Sequence, residues 1–350
     1  TCLSVCDSLS VMKANSSREK HIGIVGGAGY IGTVLTRLAL KMGYKVTIFD
    51  LFFFGNNFQE SKNLKLVKKD SRKISKLDFK GIDIVFDLAA ISNDPAGELN
   101  HEVTMSINFF GRKNVQQASV EAGVSRYVLA SSCSVYGFRD ETCDETTEPN
   151  PLTAYAEANL LAENSAFELS GGDTQIVCAR QATVFGLSQR MRFDLAVNGM
   201  SRSLFDAGLL KLQRPGSQMR PMVHILDLSK ALLTLGAANL EQSGTLINVG
   251  FNSLNVELAS LGNRIRRELS EEAEISWYGS DDARSYRVDF TRFESEFWNN
   301  DQPTSLEAGA REVYGSLYSG LVDTSSRSIT LDWYREQHPS LFVNGPKGQL

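Results

Sequence analysis

Three glycines spaced by three, Gly26, Gly29 and Gly32, stand between a short apolar run, His21–Val25, and a helical pattern over Thr33–Met42. A second apolar run, Lys45–Phe49, ends on Asp50. Such a turn suits an anion: phosphate sits on the N-terminus of the following helix, where free N–H groups and the macrodipole favour negative charge. Gly29 lets the backbone approach a pyrophosphate, and Gly32 lets helix and sheet pack closely. An acid at the end of the second strand accepts from both ribose hydroxyls of an adenosine half. Strand, glycine turn, helix, strand and carboxylate together predict a dinucleotide site. Asp50 repels a 2′-phosphate and Leu51 brings no cation, so NAD is expected over NADP.

The elements that must hold this site alternate. Strands are expected at Leu64–Val67, Ile82–Ala90, Ser125–Ala130 and Gln175–Ala179, with helices over about 102–123 and 154–169. This alternation implies an α/β fold with a Rossmann-type, doubly wound parallel sheet and right-handed crossovers. Its ligand crevice lies beyond the carboxyl ends of the strands. Residues there border the cofactor: Tyr30 and Ile31 in the first turn, Asp70 and Ser71 after the third strand, and Leu88, Ala89 and Ala90 ending the fourth. Phe52, Phe53 and Phe54 read as core packing before a cover for adenine. Past Arg180 the alternation fades, which predicts residues 20–182 as the cofactor domain and 183–345 as a smaller C-terminal substrate region. Elements near 222–250 return to the first domain, and residues 1–19 read as a tail.

The bulk composition narrows the function. The 350 residues are 42% hydrophobic and 22% charged with a net charge of −5, an ordinary globular balance. No block of Lys or Arg is present, which argues against a nucleic-acid partner. Apolar stretches fall short of the roughly 20 residues a membrane span needs, and residues 1–19 carry no sustained apolar run, which argues against a signal peptide. Five cysteines without metal-like spacing read as free thiols of a cytoplasmic protein, and no metal site is expected.

With these residues placed, the chain resembles the extended short-chain dehydrogenase/reductase family, in its NAD-dependent epimerase/dehydratase branch acting on nucleotide sugars. The resemblance covers residues 20 to about 320. It rests on the glycine turn, Asp50, Asp70, Leu88-Ala89-Ala90, Asn108-x-x-Gly111-x-x-Asn114, Ser131-Ser132-x-Ser134-Val135-Tyr136-Gly137, Tyr155, Arg180 and Arg220-Pro-x-Val-His224-x-x-Asp227. It implies Tyr155 as the proton-transferring base, Ser132 as the hydroxyl that holds the substrate, and Asn108 among the cofactor residues. A phenol titrates near 10, so such a base needs a nearby cation. The family places a lysine one helical turn after the tyrosine, but here that position is Asn159, an amide that can still bond a ribose. In 4,6-dehydratases an Asp-Glu pair follows the hydroxyl residue, whereas Cys133 and Ser134 stand here, so that reaction is disfavoured. Arg220 and Arg284 match arginines that clamp a substrate diphosphate, with Ser92, Asn93, Ser134 and Asn198 near the sugar. The expected function is NAD-dependent oxidation and reduction of a nucleotide-diphosphate sugar, as a 4-epimerase or 4-dehydrogenase, in a homodimer. The alternative is a catalytically impaired binder acting as sensor or scaffold, because Asn159 replaces the lysine.

Overall fold

The computed structural model describes residues 20–240, 242–280, 284–299 and 301–339. The tail expected over 1–19, with Cys2 and Cys6, and the last residues of the expected substrate region lie outside the described residues.

Seven parallel strands form the central sheet, in the order Thr245–Val249, Gln175–Gln181, Arg126–Ser132, Ile84–Asp87, His21–Val25, Lys45–Asp50 and Leu64–Lys68. The doubly wound sheet is therefore present. Its residues read as continuous apolar runs because helices cover both faces. Successive side chains alternate sides: Val128, Val177 and Ala179 join one core, while Tyr127, Leu129, Ile176 and Cys178 join the other. Strand order reverses between His21–Val25 and Ile84–Asp87, and ligands of open α/β sheets bind beside such a reversal. The Gly26–Gly32 turn and Leu88–Ala90 leave these two strands.

The single helix expected over 102–123 is interrupted. His101–Met105 is α-helical, Ser106–Gly111 forms a π turn, and Arg112–Ala122 resumes the α-helix. A π turn inserts a residue and re-aims the side chains after it. Arg112, the first residue after it, is 2% exposed.

Smaller sheets lie over the crevice. Thr183–Phe185, Met219–His224 and Asn255–Glu257 form one, and Leu209–Gln213 pairs with Glu274–Tyr278. Phe138–Cys143 pairs with Ser285–Val288, tying the middle of the chain to its last third. His224 caps the next helix, accepting from Leu226 N–H at 3.4 Å.

Asp87, fully buried at the end of its strand, accepts from the Tyr127 hydroxyl at 2.8 Å. Burial pushes its pKa up to about 6, against the pull of Arg112. The folded chain therefore keeps this proton after the unfolded chain has lost it, and stability drains away as pH climbs from about 4 to about 6. The loss is of order 3 kcal/mol at 1.36 kcal/mol per pKa unit. Asp87→Asn should flatten stability over that window in urea titrations at several pH values. A steeper loss in the variant would contradict this.

Candidate active site

The crevice is one cavity of about 900 Å³ running from the glycine turn to Arg284, at the upper end of the range for ligand pockets. At its deep end Gly26 has φ +80°, and a Cβ there would meet Ala89 N at 2.7 Å. At Gly32 a Cβ would meet Gly26 O at 2.5 Å. The Tyr30–Lys41 helix thus begins tight against the turn, with no side chain capping its N-terminus. Asp50 crosses the turn: its carboxylate accepts from Ala28 N–H at 2.9 Å and Phe52 N–H at 2.7 Å. Burial raises its pKa, while these N–H groups and the charge of Arg190 oppose the rise. Gly29, Ile31, Leu51, Asp70, Ser71, Leu88, Ala89 and Ala90 line the same end. Asp70 is paired with Arg72 at 2.6 Å. Tyr30 lines the cavity too, but its hydroxyl bonds Gly186 O at 2.7 Å, so it braces the wall.

The mouth at this end is covered by residues distant in sequence. Phe53 and Phe54 pack against the Thr330–Gln337 helix, where Trp333 Nε1 donates to Phe53 O at 3.0 Å. The Arg190 guanidinium lies 3.7 Å from the Phe54 ring centroid and donates to Thr330 Oγ1 at 2.9 Å. Burial and the neighbouring Arg192 push its pKa down to about 10. The reading of the phenylalanines as core packing holds for Phe52, whereas Phe53 and Phe54 line the cavity.

Ser132 and Tyr155 face the cavity midway along it. Ser132 ends its strand, with Oγ accepting from Ser134 N–H at 3.1 Å. Tyr155 is on the first turn of the Ala154–Glu168 helix, which Thr153 caps through Ala156 N–H at 3.2 Å. That helix end is clamped by the loop after the fourth strand. Thr153 donates to Asp94 at 2.5 Å, Ala154 N–H to Glu98 at 2.7 Å, and Gly97 leaves room for the Tyr155 Cβ. Burial works against the charge of Arg192, but Asp194 and then Tyr155 outweigh it and raise its pKa. Arg192 bonds Asp194 at 2.7 Å and Ser92 Oγ at 2.8 Å. Asn93, at φ 88° in a strained conformation, donates to the same Asp194 at 2.8 Å.

Three asparagines need correction. Asn108, Asn159 and Asn198 are fully buried and do not line the cavity. Asn108 exchanges two hydrogen bonds with the Ile91 backbone. Asn198 bonds Gly186 N–H, Tyr30 Oη and Arg192 O. Asn159 donates to Tyr155 O at 2.8 Å and accepts from Arg112 Nη1 at 2.5 Å. Each amide is engaged by protein through its oxygen and at least one N–H, and stands behind the cavity wall.

Toward the outer end stand Arg220 and Arg284. Arg284 pairs with Asp94, and Arg220 donates to the Arg284 carbonyl and to Met219 O at 2.8 Å. Between them and Tyr155, Ser134 Oγ and Gln181 Oε1 are buried without a hydrogen-bond partner among the described residues. Both residues also line the cavity. Sequence reasoning missed Gln181, although its place at the carboxyl end of a strand marks the crevice. It missed Arg112 and Arg192 as wall residues as well.

The model of the NAD dependent epimerase/dehydratase family matches residues 22–250. The chain belongs to that family. Similar to it are UDP-glucuronic acid decarboxylase 1 of Danio rerio, 26% identical over 242 residues, 66% of this chain and 57% of that protein, and the uncharacterized UDP-glucose epimerase YtcB of Bacillus subtilis, 28% identical over 244 residues, 65% and 75% of the two chains. The chain spans just over half the length, 57%, of the Danio rerio protein and 56% of another curated relative, the uncharacterized protein y4nG of Sinorhizobium fredii. A solved structure, MoeE5 in complex with UDP-glucose and NAD, superposes with a TM-score of 0.75 at 25% identity, over 86% of this chain and 99% of that one. The family's cofactor is NAD, and the residues fit it. The uncapped helix end and the glycine turn would hold the pyrophosphate and Asp50 the adenosine ribose, while Ala89, Ala90, Ser132 and Tyr155 line the cavity further along. Among the described residues no helix is long and apolar enough to cross a membrane, and no group of three His, Cys, Asp or Glu is placed to hold a metal.

Asp50→Ser should shrink the preference for NAD over NADP at least roughly tenfold, because it removes a like charge within a few ångströms of a 2′-phosphate, worth up to about 4 kcal/mol at an effective dielectric of about 20. Calorimetric titration of both cofactors reads this; equal affinities in the unmodified chain would remove the argument.

Proposed function

We propose that this chain acts on a nucleotide-diphosphate sugar at a ring carbon, as a 4-epimerase or 4-dehydrogenase. NAD, when bound, accepts the hydride from that carbon. Tyr155 takes the proton of the sugar hydroxyl as that hydride leaves, and Ser132 holds the same oxygen by a hydrogen bond. The observation that carries this reading is the single cavity joining the glycine turn and Asp50 to Ser132 and Tyr155 and onward to two arginines. Arg220 and Arg284 suit a diphosphate because the planar guanidinium gives paired, charge-assisted bonds. Ser134 and Gln181 offer their free buried atoms to the sugar.

Water elimination by the usual acid–base pair is disfavoured at Cys133 and Ser134. Burial pushes the Cys133 thiol far up, and its Sγ is 3.3 Å from Arg180 O. A thiol held neutral there does not serve as an acid–base group near pH 7. We read residues 183–345 as the substrate side. The 101–122 and 154–168 helices are the proposed homodimer face, where Phe110 stands 58% exposed.

The test is proton NMR of the purified protein with NAD and a panel of uridine, thymidine and guanosine diphosphate sugars. Interconversion of C4 epimers, or NAD-dependent formation of a 4-keto sugar, is expected with at least one. A dehydrated sugar would overturn the assignment in favour of a dehydratase. No change with any of them would favour a binder.

A further inference from the structure

Arg112 is an arginine in a place that costs free energy. Its side chain is 2% exposed, yet it lines the cavity. Nε donates to Ala89 O at 3.2 Å, Nη2 to Ala130 O at 3.0 Å and Nη1 to Asn159 Oδ1 at 2.5 Å. All three acceptors are neutral. Among the described residues no carboxylate pairs with this guanidinium. Asp87 acts on it only at a distance, and the direct hold comes from the ends of two sheet strands and one helix.

Its position bears on Asn159. A lysine at 159 would extend two atoms beyond the point that Oδ1 occupies, about 2.5 Å by ordinary bond lengths. Arg112 Nη1 stands at that distance from Oδ1. A cation carried by a different helix, re-aimed by the π turn, thus stands within one hydrogen bond of the side chain at 159. Arg192 also lies near Tyr155, but Asp194 bonds it directly and offsets its charge.

We infer that Arg112 supplies the positive charge absent from position 159, as a positioning residue between the foot of Tyr155 and the nicotinamide end of the cofactor cleft. The inference rests on the enzymatic reading above and adds the residue that makes an amide at 159 compatible with turnover. The charge facing Arg112 is Asp87, from the strand beneath it. Asn159→Lys in the native background would crowd two cations together, whereas moving the charge from 112 to 159 would preserve it.

The experiment compares the native protein with Arg112→Gln and the double variant Arg112→Gln/Asn159→Lys. Affinities for NAD⁺ and NADH come from calorimetry and NADH fluorescence, and kcat and KM from the NMR assay. A nearby cation favours the neutral dihydronicotinamide ring over the charged one. Arg112→Gln should therefore shift the NADH-to-NAD⁺ affinity ratio toward NAD⁺ about tenfold, as expected for one charge at about 10 Å. It should also lower kcat about a hundredfold with little change in KM, and the double variant should recover both readings. A folded Arg112→Gln with unchanged ratio and kcat would overturn the inference and leave the enzymatic reading standing. A native protein that binds neither cofactor form would sink that reading itself. If Arg112→Gln does not fold, the double variant decides: native-like ratio and kcat support the inference, and failure of both to fold makes Arg112 a structural prop and overturns it.

Discussion

Tyr155→Phe should lower kcat by about 10²–10⁴-fold, the range for removing a positioned general acid–base group. Binding of NAD and of the nucleotide sugar should change little. The substitution deletes one oxygen and keeps the ring, so packing against Gly97 and the Thr153 cap survives. Tyr155 lines the cavity within electrostatic reach of Arg192. Ser132 cannot replace it, since an aliphatic hydroxyl holds its proton too tightly to serve as a base near neutral pH. The NMR assay, with NAD binding measured on the same sample, separates loss of chemistry from loss of binding. A Tyr155→Phe protein that keeps native kcat would move the base elsewhere.

Glu163→Ala should cost about 3–5 kcal/mol of stability, the range for breaking a buried ion pair by removing one partner. Glu163 and Arg180 have side chains 1% and 4% exposed and meet at 2.7 Å, with further contacts at 3.1 Å. Ser131 donates to the same carboxylate. Arg180 already carries one buried nitrogen without a hydrogen-bond partner among the described residues and lies 4.9 Å from the Tyr136 ring centroid. Without Glu163 its charge would stand alone in the core. The pair joins the Tyr155 helix to the Gln175–Gln181 strand, and Ser131, the neighbour of Ser132, bonds the same carboxylate, so activity should fall along with stability. Glu163→Leu/Arg180→Met should regain much of the loss, because apolar side chains of similar volume carry no charge to desolvate. Urea unfolding of the three proteins reads this, and a loss under about 1 kcal/mol in Glu163→Ala would contradict it.

What the sequence made legible was local. Glycine spacing, the acid ending the second strand and unbroken apolar runs are short-range consequences of turn geometry and two-sided burial, and the sheet contains all of them. The missing pieces depend on contacts between distant residues. Trp333 reaches Phe53 across 280 positions, and the Thr330–Gln337 helix carries no local sign that it covers a ligand end. Arg112 sits in a helix whose pattern makes an arginine read as a solvated charge, and only the π turn brings it inward. Asn108, Asn159 and Asn198 were misplaced for the converse reason. An amide's type shows that it can bond a ligand, but not whether the backbone has already claimed it. Gln181 is intermediate: strand polarity marks its position, and its free oxygen is visible only in three dimensions.

The central claim is that one cavity binds NAD and a nucleotide-diphosphate sugar together. Native mass spectrometry of the purified protein, mixed with NAD and one nucleotide sugar at a time, tests it directly. The predicted result is a ternary complex of protein, NAD and at least one intact nucleotide sugar, weakened when Arg220 is replaced by Ala and absent with the corresponding free sugar. Retention of NAD alone across the whole panel, or equal binding of free and nucleotide-linked sugars, would contradict the account.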